Sequence, residues 1–513
     1  MSTFLFLYVV IYGNLCYNFS EMILLRVSIT KSKNSEQLYI LHSFRKNGKS
    51  SSRVIKKLGS MADLLPLHNN DRDQVLAWAN QQAALLTQQY QDQNESLSFS
   101  LSPSLRIPRD QLRSFNCGSL FLQSLYTQLH FDSLCRSIRS RHQYQFDLNA
   151  ILSHLIFSRV LYPSSKASSF SFAQSLLDPP SYELHDVYRA LSILAQESDF
   201  IQKETYRNSQ FLHPRNTKVL YYDCTNYYFE IEQEEASKKY GKSKENRPNP
   251  IIGMGLFMDG DGFPLAFNLY PGNQNEQLSL LPLEKKVVRD FECSEFIYCS
   301  DSGLGSAKNK AFNALGGRSY VVTQSLKKLK EEDRKIALDP TQYRKLNSEK
   351  FIDLRTLDEE DPDVFNAIYY KEIPLDSKSL SETLIVTYSP KYKAYQAKIR
   401  QGQIDRAMKM ITQGGKLKKN RKNPHDPARF IQKTAVTDQG EVADQWFCQL
   451  NQEVMDQEAM YDGFYGVVTN LEVEVSEIIA INQQRWQIEE CFRMMKTDFS
   501  ARPVYLQRED RIQ

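Results

Sequence analysis

Apolar and polar positions follow two different rhythms along this chain, and the rhythm changes at identifiable points. From Ile23 to Gly59, short runs of alternating apolar and polar residues are interrupted at Lys33-Asn34 and Asn47-Gly48, which predicts strands joined by tight turns. Asp71 to Gln91 is rich in Ala, Gln and Leu and predicts a helix. Glu95 to Pro108 (ESLSFSLSPSLRIP) is Ser/Pro-rich and reads as a linker. From Gln111 to about Ser209 the apolar residues recur at helical spacing, as in FDLNAILSHLIFSRVLY, with breaks at Pro163, Pro179 and Pro180. At Thr217 the texture turns aromatic and β-branched: TKVLYYDCTNYYFEI predicts a strand. IIGMGLFM and FPLAFNLY then flank Asp259-Gly260-Asp261-Gly262, a strong hairpin signal.

Further on, a helical stretch from Glu276 to Arg289 leads to the apolar run FIYCS and Asp301, a second helix around Ala307 to Leu315, and the strand SYVVT. Three antiparallel strands followed by alternating helices and strands is the element order of an RNase H-like α/β fold. Residues 326–461 have a mixed pattern with a strand at LIVTYSP and are too long for a structureless loop, so they predict an inserted subdomain. FYGVVTN, from Phe464 to Asn470, is a further strand. The expected organisation is an apolar extension (1–21), a small β/α region (22–95), an all-α domain (109–213), and the first part of an α/β catalytic domain (217–325). An insertion (326–461) and the end of the catalytic domain (462–513) follow.

Composition narrows the function classes. The 513 residues are 41% hydrophobic and 24% charged, so the chain can bury a substantial core. A net charge of +3 creates no global field, and any basic surface must be local. One such run spans Lys391 to Lys433, where thirteen Lys and Arg face two Asp, among them Lys416, Lys418, Lys419, Arg421 and Lys422. It reads either as a phosphate-contacting surface or as a solvated charged segment. The eight cysteines show no CxxC pair, which fits free thiols in a reducing cytoplasm. The opening MSTFLFLYVVIYGNLCYNF lacks a basic n-region and is short for a bilayer span. It is read as an extension, with Met22 opening the fold; secretion is the other reading.

Three carboxylates stand out. Asp223 lies inside the run Val219 to Phe229, where a charge is costly unless paired or bound to a metal. Asp301 ends FIYCS, at the C-terminal end of a strand where α/β sites gather. Glu489 lies in NQQRWQIEECFRMMK; on a continuous helix Asn482, Arg485, Glu489 and Lys496 would share a stripe about 60° wide. Ile488, Phe492, Met495 and Phe499 would form an adjoining apolar stripe. Glu490 points about 100° away and is set aside. Each acid also has a structural reading: a turn residue, a helix N-cap, and half of an i,i+4 ion pair. Three hard oxygen ligands suit two Mg²⁺ ions cleaving a phosphodiester. No defensible Ser/His/Asp or Cys/His set and no phosphate loop competes with them.

From about Lys218 to Arg511 the chain resembles the DDE transposases of bacterial insertion sequences. The resemblance rests on YYDCTNYYFE, GKSKENRPNPIIGMGLFMDGDGFPLAFNLYPGNQNE, YCSDSGLGS and QRWQIEECFRMMKTDF. It implies an RNase H-like core interrupted by a β-rich insertion, with Asp223, Asp301 and Glu489 holding two Mg²⁺ ions and Mn²⁺ as a substitute. Arg485 and Lys496 match the family's Tyr-Arg-Glu-Lys signature as phosphate contacts, while Asn482 stands at the Tyr position. The resemblance further implies cleavage of double-stranded DNA at inverted terminal repeats, strand transfer to target DNA, a homodimeric synaptic complex, and a nucleoid-associated cytoplasmic location with no membrane partner. Relatives continue with apolar helices past the point corresponding to Gln513, so a truncated copy is expected. The other readings are a non-catalytic DNA-binding copy and a metal nuclease of the same fold.

Overall fold

The computed structural model describes residues 25–32, 35–46, 49–68, 70–94, 115–376, 380–413, 425–436 and 445–512. The apolar extension (1–21) and the basic residues Lys416, Lys418, Lys419, Arg421 and Lys422 lie outside these. The chain divides into two compact units, Met1–Arg113 and Ser114–Gln513.

In the first unit, β1 (Leu25–Ser32), β2 (Ser35–Lys46) and β3 (Lys49–Ser60) form an antiparallel sheet in sequence order. Leu38 and Ile40 alternate onto its buried face, and a helix, Arg72–Asn94, covers that face. Val75, Ala79 and Ala83 recur every four residues, so one side of this helix is apolar and small enough to pack closely on the strands.

The second unit opens with six helices, Ser119–Gln128, Phe131–Arg139, Leu148–Leu161, Lys166–Ala173, Leu184–Gln196 and Ser198–Leu212. Asp147 caps the third of them by accepting from the Ala150 amide, and Glu183 and Asp186 form a reciprocal cap on the fifth. Leu134, Ile138, Leu148, Ile151, Val187 and Ala190 make a core shared by the second, third and fifth.

A ten-stranded mixed sheet follows, built from β4 (Val219–Tyr228), β5 (Ile251–Met258), β6 (Pro264–Pro271), β7 (Ile297–Ser300), β8 (Ser319–Gln324), β9 (Tyr343–Lys345), β10 (Phe351–Ile352), β11 (Tyr369–Asp376), β12 (Ser381–Tyr388) and β15 (Phe464–Thr469). Between β12 and β15 in the chain, β13 (Ile431–Val436) and β14 (Gln445–Leu450) form a separate two-stranded ribbon. The order across the large sheet is β10-β9-β11-β12-β15-β8-β7-β4-β5-β6. Pairings β4/β7 and β7/β8 are parallel, and the others are antiparallel. The expected insertion, 326–461, therefore does not stand apart: β9 to β12 extend the same sheet, with β15 bridging them to β8.

Residues alternate between two cores, one on each face of the sheet. Leu220, Tyr222, Tyr298, Val322 and Val468 face one; Tyr221, Cys299, Val321 and Val467 face the other. The second core is roofed by helices Val475–Gln483 and Trp486–Arg493, through Ile478, Ile481, Ile488 and Phe492. No helix among the described residues is long and apolar enough to cross a membrane.

Candidate active site

Strand parity decides which face each candidate occupies. Asp223 shares parity with Tyr221, Asp301 with Cys299, and Thr323 with Val321, so all three side chains belong to the face roofed by the C-terminal helices. Register then aligns them. In the parallel pair β4/β7, Val219 lies beside Ile297 and Tyr221 beside Cys299. The ladder ends there; Asp223 and Asp301 lie just beyond it, near enough for the Asp301 charge to raise the Asp223 pKa. In β7/β8 the last pair is Ser300 beside Val322, and Asp301 and Thr323 each follow it by one residue. Neighbouring strands are about 4.8 Å apart, so two carboxylates and a hydroxyl form one transverse row.

Asp223 is the most perturbed member of the row. Burial pushes its carboxyl up to about 6, against the pull of the Cys224 amide and of Lys244, with the Asp301 charge adding to the rise. Its Oδ1 accepts from the Cys224 amide at 2.7 Å, and Asp301 Oδ1 accepts from the Leu304 amide at 3.1 Å. A side chain on Gly303 would sit 3.3 Å from that Asp301 oxygen, so the glycine keeps the carboxylate open.

Cations surround the pair. Arg485 donates to Thr323 Oγ1 at 2.9 Å and pairs with Glu489 at 3.3 Å. Burial works to lower its pKa, but Tyr465, Cys299, Asp301 and Asp223 outweigh burial and the net shift is upward. Lys244 behaves in the same way: Glu276, 3.3 Å away, and Asp223 overcome the effect of burial. The buried Asn226 brings Lys244 there, since its side chain donates to the Lys242 carbonyl and accepts from the Lys244 amide. Lys496, whose pKa burial lowers, lies 3.9 Å from Glu245 and over the Tyr227 ring. Sequence reasoning missed Lys244, although GKSKENRPNP marks a basic loop; it also missed Thr323 and Tyr465, which carry no local signal.

The helix carrying Glu489 departs from the expected continuous one. Val475–Gln483 ends before Arg485, a new helix starts at Trp486, and Met494–Asp498 widens into a π-helical turn. A uniform 100° step per residue therefore does not hold from Asn482 to Lys496. Arg485 sits at the break, and the Thr323 hydroxyl donates to Asn482 Oδ1 at 3.4 Å. Ile488 and Phe492 are buried as expected, and Met495 packs beside them. Glu489 is 62% exposed at its side chain and is held by Arg485; Glu490 pairs instead with Arg493. The structure thus brings Asp223, Asp301 and Arg485 together and reaches Glu489 through Arg485. Among the described residues, no three His, Cys, Asp or Glu side chains are close enough to hold a metal ion.

Thr323 is a junction, 2.9 Å from both Arg485 and the Tyr465 hydroxyl. Thr323→Val keeps the shape and removes both of these bonds and the one to Asn482. Denaturant melts should show a loss of about 1–2 kcal/mol, since a buried charged donor loses a partner. An unchanged midpoint would mean that the Arg485 position does not depend on Thr323.

Residues 25–93 match the family described as IS1634 family transposase, N-terminal domain. No curated protein matches the chain. Two solved structures align loosely with it. One is a piggyBac transposase synaptic complex with hairpin DNA, 11% identical, covering 50% of this chain and 54% of that one at a TM-score of 0.27. The other is a Mos1 transposase paired-end complex with the left transposon end, 12% identical, covering 45% and 63% at a TM-score of 0.14. The chain thus spans under two thirds of either relative.

Proposed function

We propose that this chain is a DNA transposase of an insertion sequence, cutting phosphodiester bonds at inverted-repeat ends and joining the freed 3′-hydroxyl to target DNA. The observation that carries the reading is the Asp223/Asp301 pair at the ends of adjacent parallel strands, with Arg485, Lys244 and Lys496 around Asp223, in a chain whose residues 25–93 match a transposase N-terminal family model. The strand order β6-β5-β4-β7-β8, an antiparallel meander followed by two parallel strands, supports an RNase H-like catalytic region.

The donor set fits a divalent cation. Two hard oxygen donors lie side by side, one of them burdened by desolvation, and Mg²⁺ typically takes one or two carboxylates plus substrate phosphate. Asp223 and Asp301 would hold it, with Glu489 the third candidate ligand for a two-ion site. When bound, the metal supplies Lewis-acid activation of the phosphodiester. The protein's own groups do the rest. Arg485, fixed by Thr323, and Lys244, fixed by Asn226, offer positive charge to the phosphate oxygens. The apolar roof of Ile488 and Phe492 limits water on one side. A homodimer that pairs two ends completes the proposal.

The test is Mg²⁺-dependent nicking of a duplex carrying the inverted repeats that flank the gene. Asp223→Ala, Asp301→Ala and Glu489→Gln should each abolish nicking and leave DNA binding intact. Binding without nicking by the unaltered chain would instead assign a non-catalytic DNA-binding role. Nicking without joining would leave a metal nuclease.

A further inference from the structure

The helix Pro390–Thr412, which follows β12, sorts its cations by face. Lys393 pairs with Glu359 at 2.9 Å and Arg400 with Asp462 at 2.6 Å, and together with buried Gln403, Ile404 and Ala407 they pin the inner side. The other four, Lys391, Lys398, Arg406 and Lys409, are exposed and have no carboxylate partner among the described residues. At 100° per residue these four, with exposed Tyr395 and Gly402, fall within about 80° of one another, opposite the pinned side. The row is about 27 Å long at 1.5 Å per residue, the length of about eight base-pair steps. One acid, Asp405, borders it and is tied to Gln401 at 2.9 Å.

Gly402 makes the row more than a solvated charged face. A glycine in mid-helix costs about 1 kcal/mol relative to alanine. A side chain there would meet nothing within 4 Å, so internal packing does not require the glycine. A gap at the centre of a cationic row suits close approach by an external polyanion's backbone. Tyr395, 60% exposed, adds a flat aromatic edge beside the charges.

We propose that this helix face is a duplex-DNA docking surface, contacting phosphates through Lys391, Lys398, Arg406 and Lys409, with Gly402 at the point of closest approach. The proposal rests on the DNA-processing reading above and names a surface separate from the carboxylates. The experiment titrates the full chain against a duplex of arbitrary sequence, about 30 base pairs long, over a range of NaCl concentrations, and reads fluorescence anisotropy. Replacing all four cations by Ala should reduce the slope of log K against log salt by about 3 to 4. Melting temperature should stay unchanged, because all four side chains are outward. Gly402→Gln should melt higher yet bind more weakly, a combination that a purely structural helix would not give. A quadruple variant with an unchanged salt slope overturns the proposal and leaves the transposase reading standing. Failure of the unaltered chain to bind any duplex would overturn both.

Discussion

Asp223→Asn is expected to abolish Mg²⁺-dependent nicking, by a thousandfold or more in order of magnitude, and at the same time to make the protein harder to unfold at pH 7.5. The two effects share a cause. Desolvation lifts the folded-state pKa of this carboxyl from 3.8 to about 6, so the native state holds the proton more tightly than the unfolded chain. Stability contributed by that proton is fully present below pH 4 and is lost as the pH rises through 6. Above that window the charge costs the fold up to about 3 kcal/mol, at 1.36 kcal/mol per unit. Asn carries no charge and avoids the cost, so urea melts of the two chains should diverge at pH 7.5 and converge near pH 4. Adding Mg²⁺ should stabilise the unaltered chain at pH 7.5 and the variant much less. An Asn variant no more stable at pH 7.5 would show that the site does not strain its own carboxylate.

Gly272→Ala should be among the most damaging single-methyl changes in the second unit. A Cβ on Gly272 would sit 2.2 Å from the Ile251 carbonyl and 2.5 Å from that of Lys239, and one on Gly241 would sit 1.9 Å from the Gly272 carbonyl. These obstacles are backbone, and the backbone is fixed: Lys239 and Ile251 exchange hydrogen bonds at 3.1 and 2.8 Å, and Gly272 donates to the Ser237 carbonyl at 3.2 Å. Relief requires moving the whole 237–244 segment, which Lys238 also anchors to the Gln507 carbonyl at 2.5 Å. The expected loss is about 3 kcal/mol or more, the upper range for overpacking. Lys244 would move with the segment, so the Asp223 pKa should rise further. A variant with wild-type stability would mean that this three-way backbone contact is looser than drawn.

Local signals were legible in the sequence; long-range register was not. The hairpin around Asp259 to Gly262 is readable because its turn chemistry is contained in four residues, with Gly262 at φ +87°. Asp223 and Asp301 are conspicuous because each interrupts or ends an apolar run. Their side-by-side placement depends on a parallel pairing across a crossover, which packing sets and no local pattern encodes. The Glu489 region misled for a related reason. Its apolar spacing is helical, and Ile488 and Phe492 are buried as that spacing implies, but the helix breaks at Arg485, whose guanidinium bonds Thr323. The strand at LIVTYSP announces β12 without saying that it and its unannounced partner β11 extend the main sheet.

The place of β15 has a consequence for timing. Its two neighbours are β8 and β12, and it leaves the ribosome about 140 residues after β8, from Gln324 to Phe464. Until it arrives, β8 offers a bare edge to any passing strand, a hazard that chaperones commonly shield. Arg485 is translated later still. A nascent polypeptide therefore carries both central aspartates long before it owns the guanidinium beside them.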